Sequence, residues 1–181
     1  YCEANGILLN TTGPGLIFLH PKSTGGIIME LTDHRMPNDP WDLPNWRRDW
    51  AAGRANRPHA IDHIVCAPRN PAKAVEFLVE ALGGTAGASY QVDWPQKAKA
   101  TPVQVADAKL VVLEPESPNS GPLADFAHAP NAGVYALAWQ VADPAAGAAW
   151  LAENGIPVTR AGSGYAGEAL LDGARHWLVA G

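Results

Sequence analysis

An internal repeat constrains the fold of this chain more than any single element does. The segment IDHIVCAP predicts a strand, and PAKAVEFLVEALGG predicts a helix with one apolar stripe and a glycine stop. Strand candidates follow at 101–106 and 108–114. The order restarts at Val134, about 73 residues after Ile61, with VYALAWQVAD as a strand and PAAGAAWLAENG as a helix. IPVTRA and segments near 166–171 and 175–179 then predict three more strands.

Two units with the same order of elements restrict the possible architectures. Each unit consists of a strand, a helix and three further strands, and its helix can cover one face of its sheet. The repeat therefore predicts an α+β fold in which paired βαβββ modules form an incomplete barrel around a cleft.

The first 34 residues predict a smaller β-unit. Apolar runs at 6–10 and 16–20 flank a turn signal at 11–15, and Ile27 to Leu31 predicts a third strand. An isolated hairpin is marginal in water. We therefore expect either that an N-terminal portion is lacking, or that these strands complete a sheet supplied by the next domain or another subunit.

Residues 35–60 predict a linker, because they are rich in proline and show no sustained period. Trp41, Trp46 and Trp50 lie in this stretch. A freely flexible tether does not need three indoles, so we expect them to hold the linker against a domain surface.

Composition excludes several classes of partner. The chain has 13 basic and 18 acidic side chains and a net charge of −5. It lacks the clustered positive charge that nucleic acids require, and it has no apolar run of the ~20 residues that span a bilayer. Two cysteines in no metal-binding spacing indicate free thiols. These features predict a cytoplasmic protein with a small-molecule partner, and with neither nucleic acid nor membrane.

Three segments resemble one known family. FLHPKSTGGIIMELTD is similar to the C-terminal signature of methylmalonyl-CoA epimerase-like proteins of the vicinal oxygen chelate superfamily, which includes glyoxalases, bleomycin-resistance proteins and extradiol dioxygenases. IDHIVCAPRNPAKAVEFLVEALGG resembles the start of such a domain. VVLEPESPNSGPLADFAHAPNAGVYALAWQVADPAAGAAWLAENGIPV resembles its middle.

The order of these segments implies a tandem protein, since the signature that ends a family domain precedes a domain start here. Residues 1–34 are then the tail of a truncated first domain, and 35–60 are a linker. Residues 61–181 are a complete second domain, with modules at about 61–115 and 133–181. The resemblance also leaves a homodimer open.

The resemblance implies a divalent metal, with zinc, cobalt, manganese, magnesium, nickel and iron left open. Glu30 falls on the family's metal-binding glutamate and is the one catalytic candidate, and His63 falls on its first-strand histidine. The other positions fail as ligands, because a hydrocarbon cannot bind a metal and at least three protein ligands are usual. These positions are Val111, Ala136 and either Trp177 or Leu178. The second domain is therefore expected to have lost its metal ligands, which leaves open that this chain holds none.

Each candidate site residue also fits a purely structural role. Glu30 also fits a solvent-facing strand residue, and His63 fits a hydrogen-bonded residue that lines the cleft and is oriented by Asp62. His176 is a weaker replacement ligand. His20, His34 and Lys22 fit loop positions better than ligand-binding ones, although Lys22 suits a phosphate or carboxylate. Five aromatic residues fit the core or the cleft wall: Tyr90, Trp94, Tyr135, Trp139 and Trp177.

Three functions follow from these considerations. The first is a metal-dependent epimerase, isomerase or lyase that acts next to a carbonyl or thioester. The second is a non-catalytic module for resistance or sensing that binds an apolar or aromatic small molecule. The third, an extradiol-type dioxygenase, needs two histidines and a glutamate around iron and ranks below both.

Overall fold

The computed structural model describes residues 1–32, 58, 60–129, 132–167 and 175–181. The predicted linker with its three tryptophans lies outside these residues, apart from positions 58 and 60, and so does His34. Among the described residues, the helices are too short and too polar to cross a membrane.

The N-terminal residues form a three-stranded antiparallel sheet after a 3₁₀ turn at Glu3–Asn5. Its strands are β1 (Leu9–Gly13), β2 (Leu16–Leu19) and β3 (Met29–Thr32), in the order β1-β2-β3. The turn predicted over 11–15 is present but shorter, because β1 runs to Gly13 and only Pro14 and Gly15 connect it to β2. Gly15 lies at a φ of +68°, which glycine tolerates without a steric penalty.

The first module begins with β4 (Ala60–Ala67) and continues into α1 (Pro71–Glu76), which one π-helical turn extends over Phe77–Ala81. The Asn70 side chain accepts a hydrogen bond from the backbone N–H of Lys73, and this cap fixes where α1 begins. Four strands follow: β5 (Thr85–Ala86), β6 (Tyr90–Val92), β7 (Ala98–Val105) and β8 (Ala108–Pro115). Both β5 and β6 pair with β7, so together they occupy the place of one strand.

A short helix that the sequence patterns do not predict, α2 (Pro122–His128), connects the modules. The second module contains β9 (Gly133–Val141), α3 (Pro144–Glu153), β10 (Val158–Ala161), β11 (Gly164–Gly167) and β12 (Arg175–Ala180). The strand predicted near 166–171 therefore begins two residues earlier and, as described, ends at Gly167. Asp143 caps α3 by accepting from the N–H groups of Ala145 and Ala146 at 2.9 and 3.1 Å.

The two modules join into one open nine-stranded sheet in the order β10-β11-β12-β9-β4-β8-β7-β5, with β6 beside β7. The first strands of the modules, β4 and β9, pair antiparallel at the centre. Each also pairs in parallel with the last strand of its own module, β8 or β12. The predicted α+β architecture of two βαβββ modules is confirmed, and the sheet does not close into a barrel.

The two faces of the large sheet carry separate cores. The helix face packs Cys66 and Val112 against Ala74 and Leu78 of the first helical segment. The opposite face, here called the cleft face, is partly covered by α2 through Leu123. Its floor combines Val65, Val111 and Leu113 with five buried alanines: Ala67, Ala98, Ala100, Ala136 and Ala138.

The N-terminal sheet does not pair with the large sheet among the described residues, but the loop before β3 packs on the helix face. Ile27 is 2% exposed and lies in the same cluster as Cys66 and Leu78. The backbone N–H of Asn70 also donates to the carbonyl of Gly25 at 2.9 Å. The first 32 residues are therefore docked on the first module.

Candidate functional site

The site begins with an irregularity in the central strand pair. Along β4 and β9, Ile61 pairs with Trp139 but His63 pairs with Ala138, so the register shifts at Asp62. In a regular strand, neighbouring side chains point to opposite faces, and a bulge relaxes this alternation. The shift allows the side chains of Asp62 and His63 to meet.

Asp62 is the centre of a polar cluster at this edge of the cleft face. Its Oδ2 lies 2.6 Å from His63 Nδ1 and 3.5 Å from Lys109 Nζ, and its Oδ1 accepts a hydrogen bond from Gln140 Nε2 at 3.0 Å. Burial raises the pKa of the Asp62 carboxyl, but the hydrogen bonds from His63 and Gln140 and the Lys109 charge outweigh it. Together they lower the pKa to about 2, so Asp62 is ionised at neutral pH.

His63 is neutral under the same conditions. Its side chain is 11% exposed, and burial lowers its pKa more than the neighbouring Asp62 carboxylate raises it. Because Asp62 is ionised, the single ring proton belongs on Nδ1, where it is donated to the carboxylate. Nε2 therefore keeps its lone pair, which can accept a proton, bind a metal or accept a hydrogen bond from a ligand.

The remaining ligand positions of the resemblance carry hydrocarbons in the structure. Val111 and Ala136 both pair with Val65, two residues along β4 from His63, and are 2% and 1% exposed. The described residues contain no group of three or more His, Cys, Asp and Glu that could hold a metal ion. The donor set of residues 60–180, as far as it is described, therefore does not fit a metal, and metal binding by His63 stays a prediction.

Glu30 lies away from this cluster, in the N-terminal sheet. It pairs with Phe18 on β2, and its side chain is exposed. The structure therefore places the two predicted ligands, Glu30 and His63, in different sheets, and the role of Glu30 as a metal ligand also stays a prediction.

Four aromatic side chains, here called the aromatic cluster, converge on the cleft face: Trp94, Phe126, Tyr135 and Trp177. The ring centroids of Trp94 and Trp177 are 5.1 Å apart, and Phe126 meets Tyr135 edge to face at 5.1 Å. The Arg175 guanidinium lies 4.3 Å from the centroid of the Tyr135 ring, which is a cation–π distance. Both indoles are half-buried, so the cluster presents flat apolar surface.

Trp177 connects the aromatic cluster to the polar one. Its ring meets that of His63 edge-on with centroids 6.0 Å apart, and the two residues flank Ala138 on adjacent strands. The indole Nε1 of Trp177 is buried and has no hydrogen-bond partner within the described parts of the chain. A buried donor without an acceptor costs about 1–3 kcal/mol, so an oxygen atom from a ligand or water fits here.

Three further residues named from the sequence lie outside the polar cluster. His176 Nδ1 accepts from the indole N–H of Trp139 at 2.9 Å, and strand alternation places both on the helix face, away from His63. His20 is a loop residue whose Nδ1 accepts from the N–H of Lys22. Tyr90 is 49% exposed, so its assignment to the core is wrong, whereas its place in the cleft wall stays a prediction.

Sequence patterns missed Phe126, Gln140 and Arg175, because each acts through a partner distant in sequence. The signal for Phe126 was present in PLADFAH, whose proline start and apolar spacing suit a short helix. The hydrogen bond between Asp62 and His63, by contrast, was predicted and is confirmed.

The sequence of residues 62–172 identifies the family of this chain. Residues 62–172, more than half of the chain, match the Glyoxalase/Bleomycin resistance protein/Dioxygenase superfamily, and the chain belongs to this superfamily. No curated protein matches the sequence.

Solved structures share the fold. Methylmalonyl-CoA epimerase from Mycobacterium tuberculosis aligns with a TM-score of 0.57 at 19% identity, over 68% of this chain and 88% of that chain. A variant of the Streptomyces coelicolor methylmalonyl-CoA epimerase, in complex with 2-nitronate-propionyl-CoA, aligns at 0.58 and 23%, over 68% and 98%. A mutant 4-hydroxymandelate synthase from Streptomyces coelicolor aligns at 0.54 and 20%, over 68% and 38%. At these identities the likeness concerns the fold alone.

Proposed function

We propose that the cleft face of residues 60–180 binds a flat small molecule that carries a hydroxyl group, and does so without a metal ion of its own. The observation that carries this proposal is the unpartnered indole N–H of Trp177 beside the neutral His63. A ligand hydroxyl can accept from Trp177 and donate to His63 Nε2, which satisfies both groups. The half-buried indoles of Trp94 and Trp177 provide surface on which a planar ring can stack.

The polar cluster supports binding rather than metal chemistry. Asp62, itself held by a hydrogen bond from Gln140, keeps the His63 ring in one tautomer, and such supporting hydrogen bonds preorganise a binding group. Val111 and Ala136 place hydrocarbons where a metal site would need donor atoms.

A matched pair of probes tests this function: 4-hydroxybenzoate and benzoate, which differ in one hydroxyl. We expect 4-hydroxybenzoate to raise the melting temperature more than benzoate does, and the shift to survive a chelator. Trp177→Phe keeps an aromatic ring but removes the N–H, and should weaken 4-hydroxybenzoate binding about tenfold. The control Trp150→Phe removes an indole of α3 that is 54% exposed and lies outside the aromatic cluster. It should leave binding unchanged.

Two results would count against this function. Equal binding of the two probes by the wild-type protein would show that the hydroxyl is not recognised. Loss of binding on addition of chelator would instead favour a metal site.

A second candidate is a divalent-metal isomerase, epimerase or lyase that acts next to a carbonyl or thioester. It is supported by the segment FLHPKSTGGIIMELTD, which contains Glu30 and resembles a signature of the epimerase-like proteins. The fold that the chain shares with methylmalonyl-CoA epimerases also supports it. The described part of residues 60–180 does not supply a set of metal ligands. Glu30 would therefore need further ligands from outside the described residues. A divalent metal held there would stabilise the negative charge that develops on the carbonyl oxygen when the neighbouring carbon loses a proton.

Metal content and proton exchange test the second candidate. About one tightly bound metal per chain by mass spectrometry, lost in Glu30→Gln, would support it, as would deuterium exchange at C2 of methylmalonyl-CoA. A metal-free protein without exchange in added cobalt or zinc would refute it. The dioxygenase function ranks third, because the described residues lack its two histidines and glutamate in one group.

We also propose that residues 1–34 are the last strands of a first domain, followed by the linker at 35–60. The antiparallel order β1-β2-β3 and its two-residue first turn match β10-β11-β12 of the second module. In that module the last strand also pairs in parallel with the first strand, whereas β3 pairs only with β2 among the described strands. The intact mass of the native protein tests this assignment, and a native start at Tyr1 would refute it.

A further inference from the structure

A second cavity lies away from the cleft face, where the loop at 20–28 docks on the start of α1. Its volume is about 330 Å³, and Lys22, Arg69 and Lys73 line it together with Gly26 and Ile28. The three cations come from two chain segments about 50 residues apart, so only the docking of the N-terminal residues brings them together.

The charge of this cavity is one-sided. Among the described residues that line it there is no aspartate or glutamate, and none of the three cations forms an ion pair with a carboxylate of a described residue. Like charges that share a cavity repel one another, and a bound anion relieves this repulsion. A concentration of positive charge is also unusual in a chain whose net charge is −5.

Two of the cations are held in place before any ligand arrives. Lys73 Nζ donates to the carbonyl of Lys22 at 2.6 Å, and Arg69 Nη2 donates to the carbonyl of His128 at 3.3 Å. Each bond leaves further N–H donors on the ammonium or guanidinium group for a ligand. Anchored side chains lose less conformational entropy on binding, which favours a specific site over a diffuse basic surface.

The backbone around the cavity is also closely fitted. A Cβ on Gly26 would lie 2.9 Å from the backbone nitrogen of Arg69, and one on Gly25 would lie 2.5 Å from that of Ala74. Only glycine allows the loop to approach this closely, so Lys22 is carried on a segment with little freedom to move.

The rest of the cavity indicates what else the ligand contains. Ile28 is 59% exposed at its mouth, and Pro21, Ala129 and Ala132 provide further apolar lining. An adjoining cavity of about 320 Å³ shares Lys73 but is also lined by Glu76 and Glu80, whose carboxylates repel an anion. An anionic group is therefore confined to the basic cavity, with apolar surface beside it.

We propose that this basic cavity binds the phosphate group of a phosphate-bearing small molecule, with Lys22, Arg69 and Lys73 as its ligands. Arginine and lysine are the residues that bind phosphate oxygens in proteins, arginine through paired N–H groups and lysine as a point charge. The proposal is independent of the cleft-face function, since the two sites share no residue.

Calorimetric titration of the whole chain with pyrophosphate at fixed ionic strength tests the proposal. We expect saturable one-to-one binding, weakened about tenfold or more by Arg69→Gln and by Lys73→Gln. Lys97→Gln removes the same charge from an exposed position outside the cavity and should change the affinity less than twofold. Amide NMR shifts on addition of pyrophosphate should concentrate at residues 22–28 and 69–74.

Two results would overturn the proposal. One is the absence of saturable binding at millimolar pyrophosphate in a folded wild-type protein. The other is an equal loss of affinity in Arg69→Gln and Lys97→Gln, which would indicate a general charge effect instead of a site. Circular dichroism and melting temperatures of each variant establish that a loss of binding is not a loss of fold.

Discussion

Asp62 and His63 are neighbours in sequence whose side chains hydrogen-bond at 2.6 Å within a β-strand. Consecutive residues of a regular strand cannot do this, because their side chains point to opposite faces. The register shift between β4 and β9 removes that obstacle, and Gln140 and Lys109 then hold the carboxylate from neighbouring strands. The pair gives the cleft face one neutral imidazole with a defined tautomer.

Replacing Asp62 by asparagine should lower the pKa of His63 further. Burial already lowers this pKa, and the Asp62 carboxylate opposes that effect by stabilising the imidazolium form. NMR titration of the imidazole carbons in Asp62→Asn would show the change. Asp107→Asn, which alters an exposed carboxylate in the turn between β7 and β8, is the control and should leave the His63 titration in place. An unchanged or higher pKa in Asp62→Asn would contradict this account.

Acidification should destabilise the protein through the same pair. The folded-state pKa of His63 lies below its ordinary value of 6.5, so unfolding takes up a proton and stability falls as pH drops through about 6.5. The folded-state pKa of Asp62 is about 2 against 3.8, so its contribution is present above pH 3.8 and lost on further acidification towards 2. Urea unfolding at pH 7.5 and 5.5 should show a smaller loss for His63→Gln than for the wild type. Equal losses would exclude His63 as the source.

Replacing two adjacent isoleucines one at a time should show whether the N-terminal residues are docked on the first module. Ile27 is 2% exposed against the helix face, whereas Ile28 is 59% exposed. Ile27→Ala should reduce the free energy of unfolding by about 2–4 kcal/mol, because it opens a cavity beside Cys66 and Leu78. Ile28→Ala should change it by less than about 0.5 kcal/mol. Similar effects in urea unfolding would mean that residues 1–32 are not docked as described.

Two glycines with similar backbone angles should respond differently to alanine. Gly25 has a φ of +74° and would place a Cβ 2.5 Å from the Ala74 nitrogen, whereas Gly6 has a φ of +65° and open space around it. Gly6→Ala should cost about 1–2 kcal/mol from backbone strain alone. Gly25→Ala should cost more, because it adds a steric clash to the same strain, and urea unfolding measures the difference. Equal costs would show that the loop does not approach α1 so closely.

Sequence patterns predict the helices and strands well, because the residues that specify each element lie within it or next to it. The apolar spacing of PAKAVEFLVEALGG lies within the helical segment that it specifies, and the capping residues Asn70 and Asp143 directly precede their helices. The restart at Val134 likewise predicts β9, which the structure begins one residue earlier. By contrast, α2 lies in a stretch dense in proline and glycine, where turn signals obscure a seven-residue helix.

The two βαβββ modules, the adjacency of Asp62 and His63, and the hydrocarbons at Val111 and Ala136 can be predicted from the sequence, because each depends on residues close together in the chain or on side-chain chemistry alone. Which distant groups meet can be seen only in the folded chain. The aromatic cluster combines residues 94, 126, 135 and 177, and the basic cavity combines residues 22, 69 and 73. Such meetings depend on strand register and on the docking of a loop across about 50 residues of chain, and neither leaves a periodic signal in the sequence.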